Sequence, residues 1–146
     1  MKDNNGLPVL TGLGTGIAFI ISFILFSPLL PDDVTAREVA TVVIPDGASL
    51  ESNPDFFVPK VIKVMIGVNN TVRWVSQDEV PHGIASNTDY RDPYSGRFNT
   101  YASADLLGGF IMPGETYEFT FTKPGEYPYH GEPHPWMQGT VIVLPP

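Results

Sequence analysis

GEYPYHGEPHPWMQGTVIV, running from Gly125 to Val143, is the stretch on which the reading of this chain turns. Two of the three His and one of the four Met lie within its eight residues from His130 to Met137. A valine-rich strand closes it. Imidazole and thioether donors gathered in a proline-bounded turn read as a metal-site loop. Strand alternation places Tyr127, Tyr129 and Gly131 on one face, with Pro128 and His130 on the other. The chain has no Cys. That excludes disulfides, Cys-containing zinc sites and thiolate-held iron–sulfur clusters.

Outward from this loop, the chain breaks into short alternating runs. Val39–Ile44, Lys60–Ile66, Thr71–Val75, Thr116–Thr122, Glu126–Tyr129 and Thr140–Leu144 read as strands rich in Val, Ile, Tyr, Phe and Thr. Turn residues punctuate them at Pro45–Gly47, Gly67–Asn70, Pro113–Gly114 and Pro124–Gly125. Many short strands in about 110 residues predict an all-β sandwich or barrel. Ala102–Leu107 is the one place after residue 31 where a turn or two of helix is expected. The segment Asn87–Gly109, which contains it, has little apolar periodicity. A stretch of that length reads either as a functional or partner-ordered loop or as decorated surface.

The amino-terminal part is different. From Leu7 to Leu30 there are 24 residues without a charge. As a helix they would span roughly 36 Å, enough for a bilayer core of about 30 Å. No small-residue cleavage site follows the apolar run directly, so an uncleaved single-pass anchor over 1–31 is expected in place of a signal peptide. Lys2 precedes the run, and Asp32 and Asp33 follow it. The positive-inside tendency then places a domain over 32–146 on the extracytoplasmic side of the cell membrane. That domain carries 15 acidic and 7 basic residues, a net charge of −8. Nucleic acid is therefore not an expected partner. Asn69–Thr71 forms a glycosylation sequon, a triplet that chance also produces.

Three side chains are the candidate metal ligands: His82, His134 and Met137. Two imidazoles and a thioether suit copper, and the thioether favours Cu(I). His82 follows the strand Thr71–Val75 across the turn Gln77–Pro81. His134 and Met137 lie in the loop before the last strand, so packing these two connections at one end of a sandwich would gather all three.

These motifs resemble the cupredoxins, the type 1 blue copper family, with loop spacing similar to amicyanin and archaeal plastocyanin-like proteins. The resemblance rests on Asn70–Val75 leading to Pro81 and His82, on Pro113–Gly114 before Tyr117–Phe121, and on Gly125–Gly139. It covers about 100 residues, from Val39 onward. It implies an eight-stranded Greek-key sandwich with copper near one end, held by His82, His134 and an axial Met137. The family carries a Cys three residues before the second loop His, and that position here is Gly131. Without the thiolate, blue type 1 character is not expected. The opening at Gly131 is expected to admit water, chloride or an external ligand. Glycine there could also occupy a backbone angle that another residue would resist. His130 and Glu132 are secondary candidates. Parity turns His130 away from the site, and family relatives carry a His at that position without using it as a ligand.

The apolar run and the resemblance together give a membrane-anchored copper protein of the electron-transfer family, at a site expected to transfer electrons poorly; no general base or nucleophile pair is evident, so an enzyme is not expected. Its expected partners are another redox protein or a membrane respiratory or oxidase complex. The alternative is an accessory subunit of a membrane complex, either metal-free or handling copper.

Overall fold

The computed structural model describes residues 37–146. The expected anchor over 1–31 lies outside the described residues. Among the described residues no helix is long and apolar enough to cross a membrane.

Among the described residues nine strands follow in chain order: β1 Val39–Ile44, β2 Val61–Met65, β3 Thr71–Ser76, β4 Gly83–Ser86, β5 Arg91–Asp92, β6 Gly96–Arg97, β7 Thr116–Thr120, β8 Gly125–Glu132 and β9 Gln138–Leu144. One sheet has the order β1-β3-β7 and the other β2-β9-β8-β4, while β5 and β6 form a separate two-residue ribbon. The two main sheets thus hold seven strands where the resemblance implied eight. β1 runs parallel to β3 and β2 parallel to β9, while the remaining pairs are antiparallel. The architecture is all-β, as expected.

The sandwich closes because the alternation in the sequence matches the pleat. In β3, Val72, Trp74 and Ser76 are buried and the residues between them are partly exposed. In β8, Tyr127, Tyr129 and Gly131 face inward while Pro128 and His130 do not. Residues from both sheets meet in one apolar core. Trp74 sits at its centre, with ring centroids 5.5 Å from Phe98, 5.6 Å from Tyr117 and 5.4 Å from Tyr129. Aromatic contacts of this kind add roughly 0.5–1.5 kcal/mol each beyond the area they bury. Gly139 pairs with Tyr129 across β8 and β9. A Cβ at 139 would run into the Tyr129 ring, so only glycine lets the ring lie there.

Two expectations need correction. β4 was not anticipated, because GIAS is short and carries only one large apolar residue. The helical turn expected over Ala102–Leu107 falls instead as two single 3-10 turns on either side, Thr100–Ala102 and Leu107–Gly109. The segment Asn87–Gly109 is held by its own side chains. The buried carboxylate of Asp92 accepts from the Tyr90 hydroxyl at 2.8 Å, from the Tyr94 N–H at 2.8 Å and from the Thr122 N–H at 2.7 Å. Phe98 carries the same segment into the core, fully buried.

Candidate metal centre

His82 lies just before β4, where its backbone forms an isolated bridge with Ile111. Its N–H donates to the Ile111 carbonyl at 3.1 Å, and its own carbonyl accepts from the Ile111 N–H at 2.8 Å. The residue is fully buried, where a His beside a turn would more often be surface. Asp78 explains how burial is tolerated. Its Oδ2 lies 2.8 Å from His82 Nε2. The same carboxylate accepts from the backbone N–H groups of Gly47, Ser49 and Glu79 at 3.1, 3.1 and 2.8 Å. Burial acts to raise the Asp78 pKa, but these hydrogen bonds, led by that of His82, hold it below its ordinary value. For His82 burial pushes the pKa down, with His134 acting in the same direction and Asp78 opposing. A neutral His82 therefore keeps its proton on Nε2, facing the carboxylate. Its Nδ1 carries the lone pair. That atom is buried and has no hydrogen-bond partner.

The second imidazole stands opposite. The His134 and His82 rings are 5.5 Å apart between centroids. His134 Nδ1 is also buried without a partner. Trp136 packs on the His134 ring at 5.2 Å. The connection from β8 to β9 is tight, because Gly131 N–H donates to the Met137 carbonyl at 2.9 Å and Met137 N–H to the His134 carbonyl at 3.0 Å. Met137 is fully buried.

Gly131 pairs with Ile84 of β4 and faces inward. A Cβ built at this position would lie 3.0 Å from Met137 Sδ and 3.0 Å from Met137 Cβ. On its inward side Gly131 is thus in close contact with the Met137 side chain. The backbone angle feared for Gly131 is not found, since its φ lies outside the left-handed region.

His130 and Glu132 lie on the other face of β8. His130 Nδ1 is 2.6 Å from Asn87 Oδ1, and its Nε2 is 3.6 Å from Glu132 Oε1. They border a surface cavity with Tyr101, Gly131, Pro133 and Pro135. Among the described residues no group of three or more His, Cys, Asp or Glu is placed to hold a metal ion. Any site here depends on the thioether. Sequence reasoning missed Asp78, because an acid in a turn usually serves only the turn. Its position four residues before His82 was the available signal.

The family model described as copper binding proteins, plastocyanin/azurin family, matches residues 48–144. The chain belongs to that family. Copper is accordingly the metal of its fold, and the two buried Nδ1 atoms without partners fit it. Chloroplastic plastocyanin of Chlamydomonas reinhardtii is 34% identical over 113 residues, covering 75% of this chain and 70% of that one. Amicyanin of Paracoccus denitrificans is 31% identical over 78 residues, covering 53% of this chain. The match spans only 52% of that amicyanin. Among solved structures, a purple cupredoxin from Nitrosopumilus maritimus superposes with a TM-score of 0.55 at 30% identity, covering 71% of this chain and 98% of that one.

Proposed function

We propose that this cupredoxin is an extracytoplasmic, membrane-anchored copper protein that holds its metal between His82, His134 and Met137 and works with other redox proteins. One observation carries the reading. The two imidazole rings lie 5.5 Å apart between centroids, tilted by 55°, and each buries an Nδ1 with no partner. A buried polar atom left unpaired costs roughly 1–3 kcal/mol, so two on neighbouring rings favour a ligand. Asp78 supports the reading by orienting His82, as outer-shell carboxylates do for metal-binding imidazoles. Bound copper would supply a one-electron couple. The missing thiolate makes this couple unlike that of a blue site.

The anchor is inferred from the apolar run Leu7–Leu30 and its orientation from the flanking charges. The reading is of a carrier rather than an enzyme. A membrane complex is a proposed partner, resting on the anchor alone. Protein purified from its native membranes should carry close to one copper per chain, and its amino terminus should still include the apolar run. Bound Cu(II) should show no intense thiolate-to-copper absorption. Protein that retains no copper after dialysis would favour the metal-free accessory role. A mature chain that begins near Val34 would remove the anchor.

A further inference from the structure

We infer that the end of the sandwich opposite the candidate metal centre docks on an anionic lipid surface and turns the metal loops away from it, which rests on the reading of residues 1–31 as an anchor.

Strand direction defines the two ends. β3 runs from Thr71 to Ser76 and leads to His82, while β8 runs from Gly125 to Glu132 and leads to His134. At the far end β1 starts with Val39 beside Thr71, and β7 stops with Thr120 beside the same residue. In the other sheet β2 and β9 stop together there, at Met65 and Leu144. Short turns join the two sheets at this end, residues 66–70 from β2 to β3 and 121–124 from β7 to β8. β1 begins nine residues after Leu30, the last of the apolar run. Nine residues reach at most about 30 Å, and β8 alone is roughly 26 Å long. A membrane anchor therefore delivers the chain to the far end, on a leash little longer than one strand of the domain.

The surface at that end suits lipid. Met65, Val68 and Leu144 are 40%, 52% and 39% exposed, large apolar side chains that the sandwich leaves uncovered. One turn holds them together. Val68 N–H donates to the Met65 carbonyl at 3.1 Å and Ile66 N–H to the Leu144 carbonyl at 3.1 Å, while Asn69 Oδ1 accepts from the Met65 N–H at 2.8 Å. Charge is divided along the same axis. Arg37, Lys63 and Lys123 are exposed at or near the far end, against Glu38 and Glu126. The metal end carries Asp46, Glu79, Glu115 and Glu132 against Lys60. An acidic domain thus has one end that is apolar and slightly basic. Apolar side chains gain by entering the headgroup boundary, and Lys and Arg are drawn to anionic lipid. The carboxylates of the metal end are repelled by the same surface, so the two ends are not equivalent before it.

The chain has no Cys, so one introduced thiol carries one spin label. Val68→Cys marks the far end. Leu107→Cys marks the metal end, since Leu107 is 82% exposed and lies four residues before Ile111, the bridge partner of His82. The full chain is reconstituted in vesicles of about three parts phosphatidylcholine to one of phosphatidylglycerol. Collision with a water-soluble nickel complex reads each label's access to water. Access at 68 should be at least about fivefold lower than at 107. Adding Met65→Asp to Val68→Cys should raise access at 68 by about twofold or more, because a carboxylate there meets an anionic surface. A chain that floats with the vesicles yet shows equal access at 68 and 107 keeps the anchor and loses this inference. A chain that does not float with them loses both. Dipolar broadening between labels at 68 would put a second copy on this end in place of lipid and overturn the proposal, as would a glycan found on Asn69 of the native protein.

Discussion

The loop from Gly131 to Met137 and the segment Asn87–Gly109 look alike in sequence, both irregular and marked by Pro, Gly and aromatic residues. Their polar atoms differ. Asp92 in the long segment has both carboxylate oxygens engaged by N–H and O–H donors. Across the ligand loop, His134 and its neighbour His82 each bury an Nδ1 with nothing to bond. A segment whose buried polar groups are all satisfied is scaffold. One that leaves lone pairs unsatisfied is prepared for something else. Among the described residues the other buried side-chain atoms without partners are the indole N–H groups of Trp74 and Trp136, which can only donate, and the hydroxyls of Ser76 and Tyr129, whose hard oxygens suit copper less well than imidazole nitrogen.

The largest change should come from restoring the thiolate. Gly131→Cys should turn Cu(II)-loaded protein strongly coloured, because a thiolate can donate charge to the metal, and metal binding of this kind far outweighs the local strain. The strain is not in the backbone, since Gly131 is not left-handed. It lies in Met137, which must give way by a few tenths of an ångström. Absorption and paramagnetic resonance read the outcome. A folded, colourless variant would break the comparison on the loop side.

Next in size is the scaffold. Phe98 is fully buried against Trp74, Phe119, Phe121 and Tyr129. Phe98→Ala should cost about 4 kcal/mol in urea unfolding and leave copper affinity unchanged. Asp92→Asn should cost about 2 kcal/mol, because at least one N–H or O–H donor then meets an amide NH2. The effect depends on pH. Burial acts to raise the Asp92 pKa, but hydrogen bonds from Thr122, Tyr94 and Tyr90 outweigh it and hold the group below 3.8. Its stabilisation is complete above pH 3.8 and is lost as pH falls through the lower folded value. Melting temperatures from pH 5 downward should therefore fall less steeply in Asp92→Asn than in the wild type.

The smallest effect expected joins the two regions. In Asp78→Asn, the N–H groups of Gly47 and Glu79 would keep the amide oxygen on their side. The amide NH2 would then face His82 Nε2 and force the proton onto Nδ1. Copper affinity should drop by about 10–100-fold, the usual cost of a lost outer-shell partner. Unchanged affinity in a competition titration would show that the tautomer of His82 does not matter.

Much of this was legible because the physics was local. Val72, Trp74, Tyr127 and Tyr129 announce their inward face by alternation alone. His134 and Met137 announce a ligand loop by spacing. β4 stayed hidden because Gly83–Ser86 offers too few side chains to show a period, and it becomes a strand only by pairing with β8. The close approach of Met137 to Gly131 was equally invisible, since it depends on how the loop closes, and no spacing reports that. Asp78 needed the same knowledge, since its carboxylate matters only because the fold brings Gly47, Ser49 and His82 around it.

The central claim is that the two buried Nδ1 atoms take the metal. Nitrogen NMR of the histidines during anaerobic Cu(I) titration tests it most directly, because Cu(I) is diamagnetic and each ring nitrogen reports its own bond. The Nδ1 signals of His82 and His134 should shift together and stop at one equivalent, with the His82 proton remaining on Nε2, while His130 stays unmoved beside Asn87. Movement of His130 in place of the other two, or no movement in any of them, would contradict the account.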